Sequence, residues 1–179
     1  MDKTYSINIA GLKRELPLCE VAPDFYIGAF ILFGDVELTV KCAEELLKKA
    51  PEFDVIITPE AKSIPLAYEM SRQSGKKYFV ARKKAKLYMK DAVSVDVRSI
   101  TTDAVQTLIL DGVEGEQIRG KRVVVLDDVI STGESLRAVE ILCEKFDANI
   151  VAKAAVLAEG DAADRDDIVY LGVIPLIEK

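Results

Sequence analysis

The chain has 179 residues, is 50 % hydrophobic, carries a net charge of −6 and contains no histidine. That length suits a single domain, residues 1–179, with a sizeable core. The missing histidine removes Ser-His-Asp and Cys-His catalysis and the usual zinc ligand sets, and the negative balance argues against a sequence-independent grip on DNA or RNA.

No apolar run reaches the length of a membrane span, and the N-terminus lacks a secretory-type stretch. The expectation is a soluble cytoplasmic protein with no membrane partner. Cys19, Cys42 and Cys143 lie far apart without C-x-x-C spacing and read as core or surface thiols.

Residues 5–19 read as a hairpin turning at Ala10 and Gly11. After an apolar stretch, 26–33, Asp35 is placed to cap a helix running to about Ala50, with Val36, Val40, Ala43, Leu47 and Ala50 on one face and Pro51 as its stop. Residues 54–58 form a short buried-strand pattern followed by Pro59, Glu60, Ala61, Lys62 and Ser63 and an apolar helix pattern over 64–70. A third strand spans 77–81. Beyond it, 82–89 is basic and without apolar period, as expected of a mobile loop. From Lys76 to Lys90 the chain holds seven Lys or Arg and no acid, which points to a local polyanion site.

Residues 93–97 and 105–110 suit an antiparallel arm, 111–120 a turn, and 150–157 and 168–176 further strands. Strands alternating with helices predict an α/β fold, a mostly parallel sheet flanked by helices, with residues 1–35 as a small N-terminal hood. In such folds ligands sit at the carboxyl ends of the strands.

The most informative stretch is VVVLDDVISTGES, residues 123–135. Its apolar start reads as a strand buried on both faces, ending at Asp127 and Asp128. Ser131, Thr132, Gly133, Glu134 and Ser135 then lead into a helix with the stripe Leu136, Val139, Leu142, Cys143 and Phe146. A small hydroxylated turn at a helix N-terminus is suited to a phosphate, and paired carboxylates beside it are suited to sugar hydroxyls and hydrated Mg2+. Helix capping alone accounts for one hydroxyl, not for this whole set. An ATPase acid strand would need a G-x-x-x-x-G-K-[ST] loop, and the Gly-Lys pairs at Gly75 and Gly120 lack its first glycine and its Ser/Thr.

These motifs resemble those of the type I phosphoribosyltransferases, purine subgroup. VVVLDDVISTGES is similar to the family's phosphoribosyl diphosphate signature, TPEAKSIPLA to its pyrophosphate loop, LFGDV to the F-x-D-[IV] segment of the adenine enzymes, and ARKKAKL to their flexible-loop start. The resemblance implies transfer of 5-phosphoribose from phosphoribosyl diphosphate to a purine, adenine first and xanthine or hypoxanthine next, by a Mg2+-dependent homodimer. It implies Asp127 and Asp128 as catalytic residues that also hold the metal, mainly through water, and residues 131–135 as the 5-phosphate cradle. Lys62 with the backbone of Ala61 and Ser63, plus Arg82, Lys83 and Lys86, would neutralise the diphosphate; in similar enzymes some of these basic residues reach across the dimer interface. Leu32 and Phe33 would form the base site, and a non-proline cis peptide is expected around Ala61-Lys62.

By residue type alone, Lys84 and Lys90 read as a solvated loop, and Leu32 and Phe33 as core. The sequence departs from the adenine enzymes at Thr102, where they carry a Glu, at Gly34, where they carry Arg, and at Glu134, the signature's second glycine. The alternative implied is a non-catalytic sensor of phosphoribosyl diphosphate or nucleotide on the same fold.

Overall fold

The computed structural model describes residues 4–98 and 105–178. At its centre lies a five-stranded sheet in the order β10-β9-β8-β4-β5, built from β4 (Val55–Pro59), β5 (Lys77–Ala81), β8 (Arg122–Ile130), β9 (Asn149–Glu159) and β10 (Gly172–Ile174), with every neighbouring pair parallel. Successive strand residues point to opposite faces, so these apolar runs feed two cores. Val55, Ile57, Val123 and Val125 join one with Leu136, Val139 and Leu142 of α4 (Glu134–Lys145). Ile56, Val124 and Leu126 join the other, under α1 (Val36–Lys49) and α2 (Ile64–Ser74).

The hood is a four-stranded sheet, β1 (Thr4–Ile9), β2 (Leu12–Ala22), β3 (Phe25–Gly28) and β11 (Ile177–Glu178). The expected turn is formed by Ala10 and Gly11, both at positive φ. Strand β11 returns from the far end of the chain and pairs antiparallel with β3, so the hood sheet is not confined to the first 35 residues. The arm is the antiparallel pair β6 (Val93–Arg98) and β7 (Val105–Leu110), and its Val95, Leu108 and Leu110 pack into the α4-side core. A bridge between Arg82 and Ile109, two backbone bonds of 2.7 Å, ties the arm to the end of β5.

Three expectations are corrected. Asp35 does cap α1, accepting from the Leu38 N–H at 3.1 Å, but the deeply buried stripe is Leu38, Thr39, Cys42, Ala43 and Leu46, and Val36 is 72 % exposed. A threonine fits that stripe because its hydroxyl donates to the Asp35 carbonyl at 2.7 Å. Residues 111–120 are not merely a turn; they hold α3 (Gly112–Ile118). Glycine disfavours helix, but a Cβ on Gly115 would come within 2.1 Å of the Phe146 ring, so close packing requires glycine there. Strand β8 does not end at its acids; it stays paired with β9 through Ile130 and Ala158. Among the described residues no helix is long and apolar enough to cross a membrane.

Candidate active site

Strand β4 pairs with β8 only from Val55 to Ile57, whereas β8 follows β9 five residues further. A cleft therefore opens at the carboxyl end of the sheet beside Asp127 and Asp128. The gap is tied by Thr58, whose Oγ1 lies 2.8 Å from the Leu126 carbonyl oxygen and 2.7 Å from Ser63 Oγ. Ser63 is buried and its hydroxyl also donates to the Pro59 carbonyl, so it locks the loop between β4 and α2 from within. The peptide between Glu60 and Ala61 in that loop is cis, one bond ahead of the expected place.

Lys62 leaves this loop and sets its Nζ 3.0 Å from Asp128 Oδ2. Asp128 is 2 % exposed, and the ion pair to Lys62 is what offsets the burial of its Oδ2, which accepts no aligned hydrogen bond. That oxygen has room for a donor from a ligand. Asp127 lies on the other side of β8, paired with Ala155, and its Oδ1 accepts from the Asp128 N–H at 2.8 Å. Burial, then the neighbouring Asp128 carboxylate, pushes the Asp127 carboxyl well above the usual range. Such a pair is the electrostatic condition that a divalent cation or ribose hydroxyls relieve. Among the described residues no group of three or more Cys, His, Asp or Glu is gathered to hold a metal unaided. Two adjacent carboxylates, one of them buried, have the chemistry that would suit a hydrated Mg2+.

Asp127 also lines a cavity of about 120 Å³ with Ser131, Thr132, Gly133, Glu134 and Ser135. Gly133, at φ 81°, is the N-cap of α4 and supplies no side-chain cap, so this helix start is shaped for an external acceptor. Its positive φ is a conformation that glycine adopts without the strain a side chain would bring. Sequence reasoning missed Gln106 of the arm, whose Nε2 donates to Ser135 Oγ at 2.7 Å and which lines the same cavity. No pattern around Gln106 marks it; only the fold brings it there.

Arg82 is already engaged. Its Nε is 3.3 Å from Glu60 Oε2, and one terminal nitrogen donates to the Tyr88 hydroxyl. The Lys83 N–H also donates to Glu60, and that bond, followed by Arg82, holds the Glu60 carboxyl below its ordinary value. Glu60 thus pins the start of the basic loop to the Lys62 loop, another link absent from the sequence reading. Lys83 is exposed and Lys86 half-buried along that loop.

A second cavity, of about 330 Å³, separates hood from sheet and is lined by Ala29, Phe30, Ile31, Lys62, Val129 and Glu159 among others. Of the expected base residues, Leu32 is buried in the hood-side core and Phe33 is 56 % exposed; Phe30 and Ile31 of the same segment line this cavity. Thr102 lies outside the described residues.

The family model described as "Phosphoribosyl transferase domain" matches residues 37–177. A hypoxanthine/guanine phosphoribosyltransferase of Methanococcus voltae is 38 % identical over 63 % of this chain and 56 % of its own length. The purine biosynthesis transcriptional repressor PurR of Bacillus subtilis is 30 % identical over 63 % of this chain and 39 % of its own. The chain thus spans about half or less of these curated relatives. The crystal structure of adenine phosphoribosyltransferase from Thermoanaerobacter pseudethanolicus shares the fold, with a TM-score of 0.68, 20 % identity and 95 % of each chain covered. With the family's domain matched across β4 to β11 and its signature set around the cleft, the chain belongs to the type I phosphoribosyltransferases.

Proposed function

We propose that the protein is a purine phosphoribosyltransferase, with adenine the first choice of base and xanthine or hypoxanthine next. The observation that carries this reading is the buried Asp128, ion-paired to Lys62 at 3.0 Å, beside the phosphate-sized cavity at the start of α4. Backbone N–H groups and hydroxyls of residues 131–135 bind the 5-phosphate. Lys62, the backbone of Ala61 and Ser63, Lys83 and Lys86 meet the diphosphate, and Arg82 contributes on release from Glu60. The C1–O bond to diphosphate breaks and its electron pair leaves with pyrophosphate. The base nitrogen's lone pair forms the new C1–N bond, and that nitrogen's proton passes to water. Asp127 and Asp128 orient the ribose hydroxyls and favour positive charge developing on the sugar. Asp127 and Asp128 would hold Mg2+, mainly through water, and the ion would supply positive charge to offset the negative charge of the departing diphosphate.

The protein acts as a homodimer in this reading. An apolar groove between α1 and α2, about 400 Å³ and lined by Val36, Pro65, Tyr68 and Tyr78, supports a self-association face. Val36 and Tyr68 are exposed in the single chain.

A second reading, a ligand-sensing module without base chemistry, is favoured by the match to a transcriptional repressor. Incubation with phosphoribosyl diphosphate, Mg2+ and each of adenine, guanine, hypoxanthine, xanthine, uracil and orotate separates the two. Nucleoside monophosphate from a purine supports the enzyme. Tight binding of the sugar diphosphate with no product from any base supports the sensor.

A further inference from the structure

The cavity at the start of α4, which the reading above gives to the 5-phosphate, is lined by two acidic residues, Asp127 and Glu134, and among the described residues by no lysine or arginine. Backbone N–H groups and the helix end favour an anion there, but neighbouring carboxylates oppose a phosphate dianion. The cations assigned to the diphosphate are turned elsewhere, Lys62 to Asp128 and Arg82 to Glu60.

Arg165 brings a cation to this place from the chain beyond β9. It follows the 3-10 turn Gly160–Asp164, which Ala162 anchors in the α4-side core, and its N–H donates to the Ala162 carbonyl at 3.3 Å. A Cβ built on Gly133 would stand 2.8 Å from Arg165 Nη1, so the guanidinium lies against the backbone that opens α4. Its direction is fixed. Nε and Nη2 each donate to Asp167 at 2.8 Å, and Lys153 holds Asp167 Oδ2 at 2.7 Å while also pairing with Glu140 of α4. A planar guanidinium gripped along one edge presents its remaining nitrogen, Nη1, to the helix start.

Stability does not account for this placement. A partly exposed ion pair such as Arg165 with Asp167 contributes little to the fold. A cation beside the N-terminal end of a helix is moreover opposed by the partial positive charge there. Bound phosphate reverses that balance, because a dianion attracts helix end and guanidinium together. Resting on the placement of the 5-phosphate in this cavity, we infer that Arg165 is a further substrate-binding residue: it supplies the cationic charge with which the cradle holds a phosphate monoester beside Glu134.

The test titrates wild type, Arg165→Gln and Arg165→Lys with ribose 5-phosphate and, separately, with pyrophosphate and Mg2+, by calorimetry at low and at raised salt. Arg165→Gln should weaken ribose 5-phosphate binding by about tenfold. Arg165→Lys should restore part of that loss, and pyrophosphate should bind all three proteins alike. Added salt should weaken ribose 5-phosphate binding more in wild type than in Arg165→Gln. A merely structural arginine would move neither the salt dependence nor the difference between the two ligands. Unchanged ribose 5-phosphate affinity in Arg165→Gln, or an equal loss for pyrophosphate, overturns the inference, as does a wild type that binds no ribose 5-phosphate. No base takes part in these titrations, so they judge Arg165 even if no purine is turned over and the transfer reading fails.

Discussion

Lys62, from the loop after β4, and Asp128, within β8, meet at 3.0 Å, the lysine half exposed and the aspartate almost wholly buried. Lys62 therefore has a partner inside the protein and, on the outer side, room for another. Lys62→Ala should leave the chain folded but lower its affinity for phosphoribosyl diphosphate by about tenfold or more, the loss expected for a charge-assisted contact. Calorimetric titration with Mg2+ present reads this directly. An unchanged affinity would remove Lys62 from the diphosphate site.

Asp35 has two tasks. It caps α1 through the Leu38 N–H, and it receives two bonds from Arg14 of β2, at 2.6 and 3.0 Å, joining hood to helix. Arg14 first, and the Leu38 N–H after it, hold its carboxyl below the ordinary value. A depressed folded-state value means that the contribution is present above the unfolded carboxylate value and is lost as pH falls through the folded one. Asp35→Ala should cost about 1 kcal/mol or more at pH 7, the usual worth of a lost cap. The gap between variant and wild type should close as pH drops below about 4. Urea denaturation at both pH values measures it.

The bond from Gln106 to Ser135 Oγ joins the arm to the phosphate cradle. Gln106→Ala should weaken ribose 5-phosphate binding by roughly two- to tenfold, the range of a neutral hydrogen bond. Because the residues act together, Gln106→Ala combined with Ser135→Ala should lose less than the sum of the single changes. Additive losses in that double-mutant cycle would show that the arm does not support the cradle.

Gly115 sits where a Cβ would run into Phe146. Alanine is the better helix former, by about 1 kcal/mol, but the overlap is with a buried ring. Gly115→Ala should therefore destabilise by about 1–3 kcal/mol, as overpacking does. Adding Phe146→Leu should recover part of that loss in thermal denaturation.

The parts legible in the sequence were those written in local chemistry. VVVL announces a strand buried on both faces, and residues 131–135 announce a helix start that binds an anion; both stand at the cleft. Helix α3 was hidden because its two glycines look like turn residues, and only Phe146, thirty-one positions after Gly115, explains one of them. Gln106 and Glu60 were missed for a related reason: each acts through a neighbour brought close by the fold, and no spacing along the chain records that. Leu32 and Phe33 were read from a motif; in that segment Phe30 and Ile31 line the hood-side cavity, Leu32 is buried and Phe33 is exposed.

The most direct measurement is the rate of pyrophosphate release from phosphoribosyl diphosphate and Mg2+, with and without a purine base, in wild type and Asp128→Asn. The account predicts release that depends on the purine in wild type and falls by at least about a hundredfold in the variant. It is contradicted if no purine stimulates release, or if Asp128→Asn releases pyrophosphate as fast as wild type.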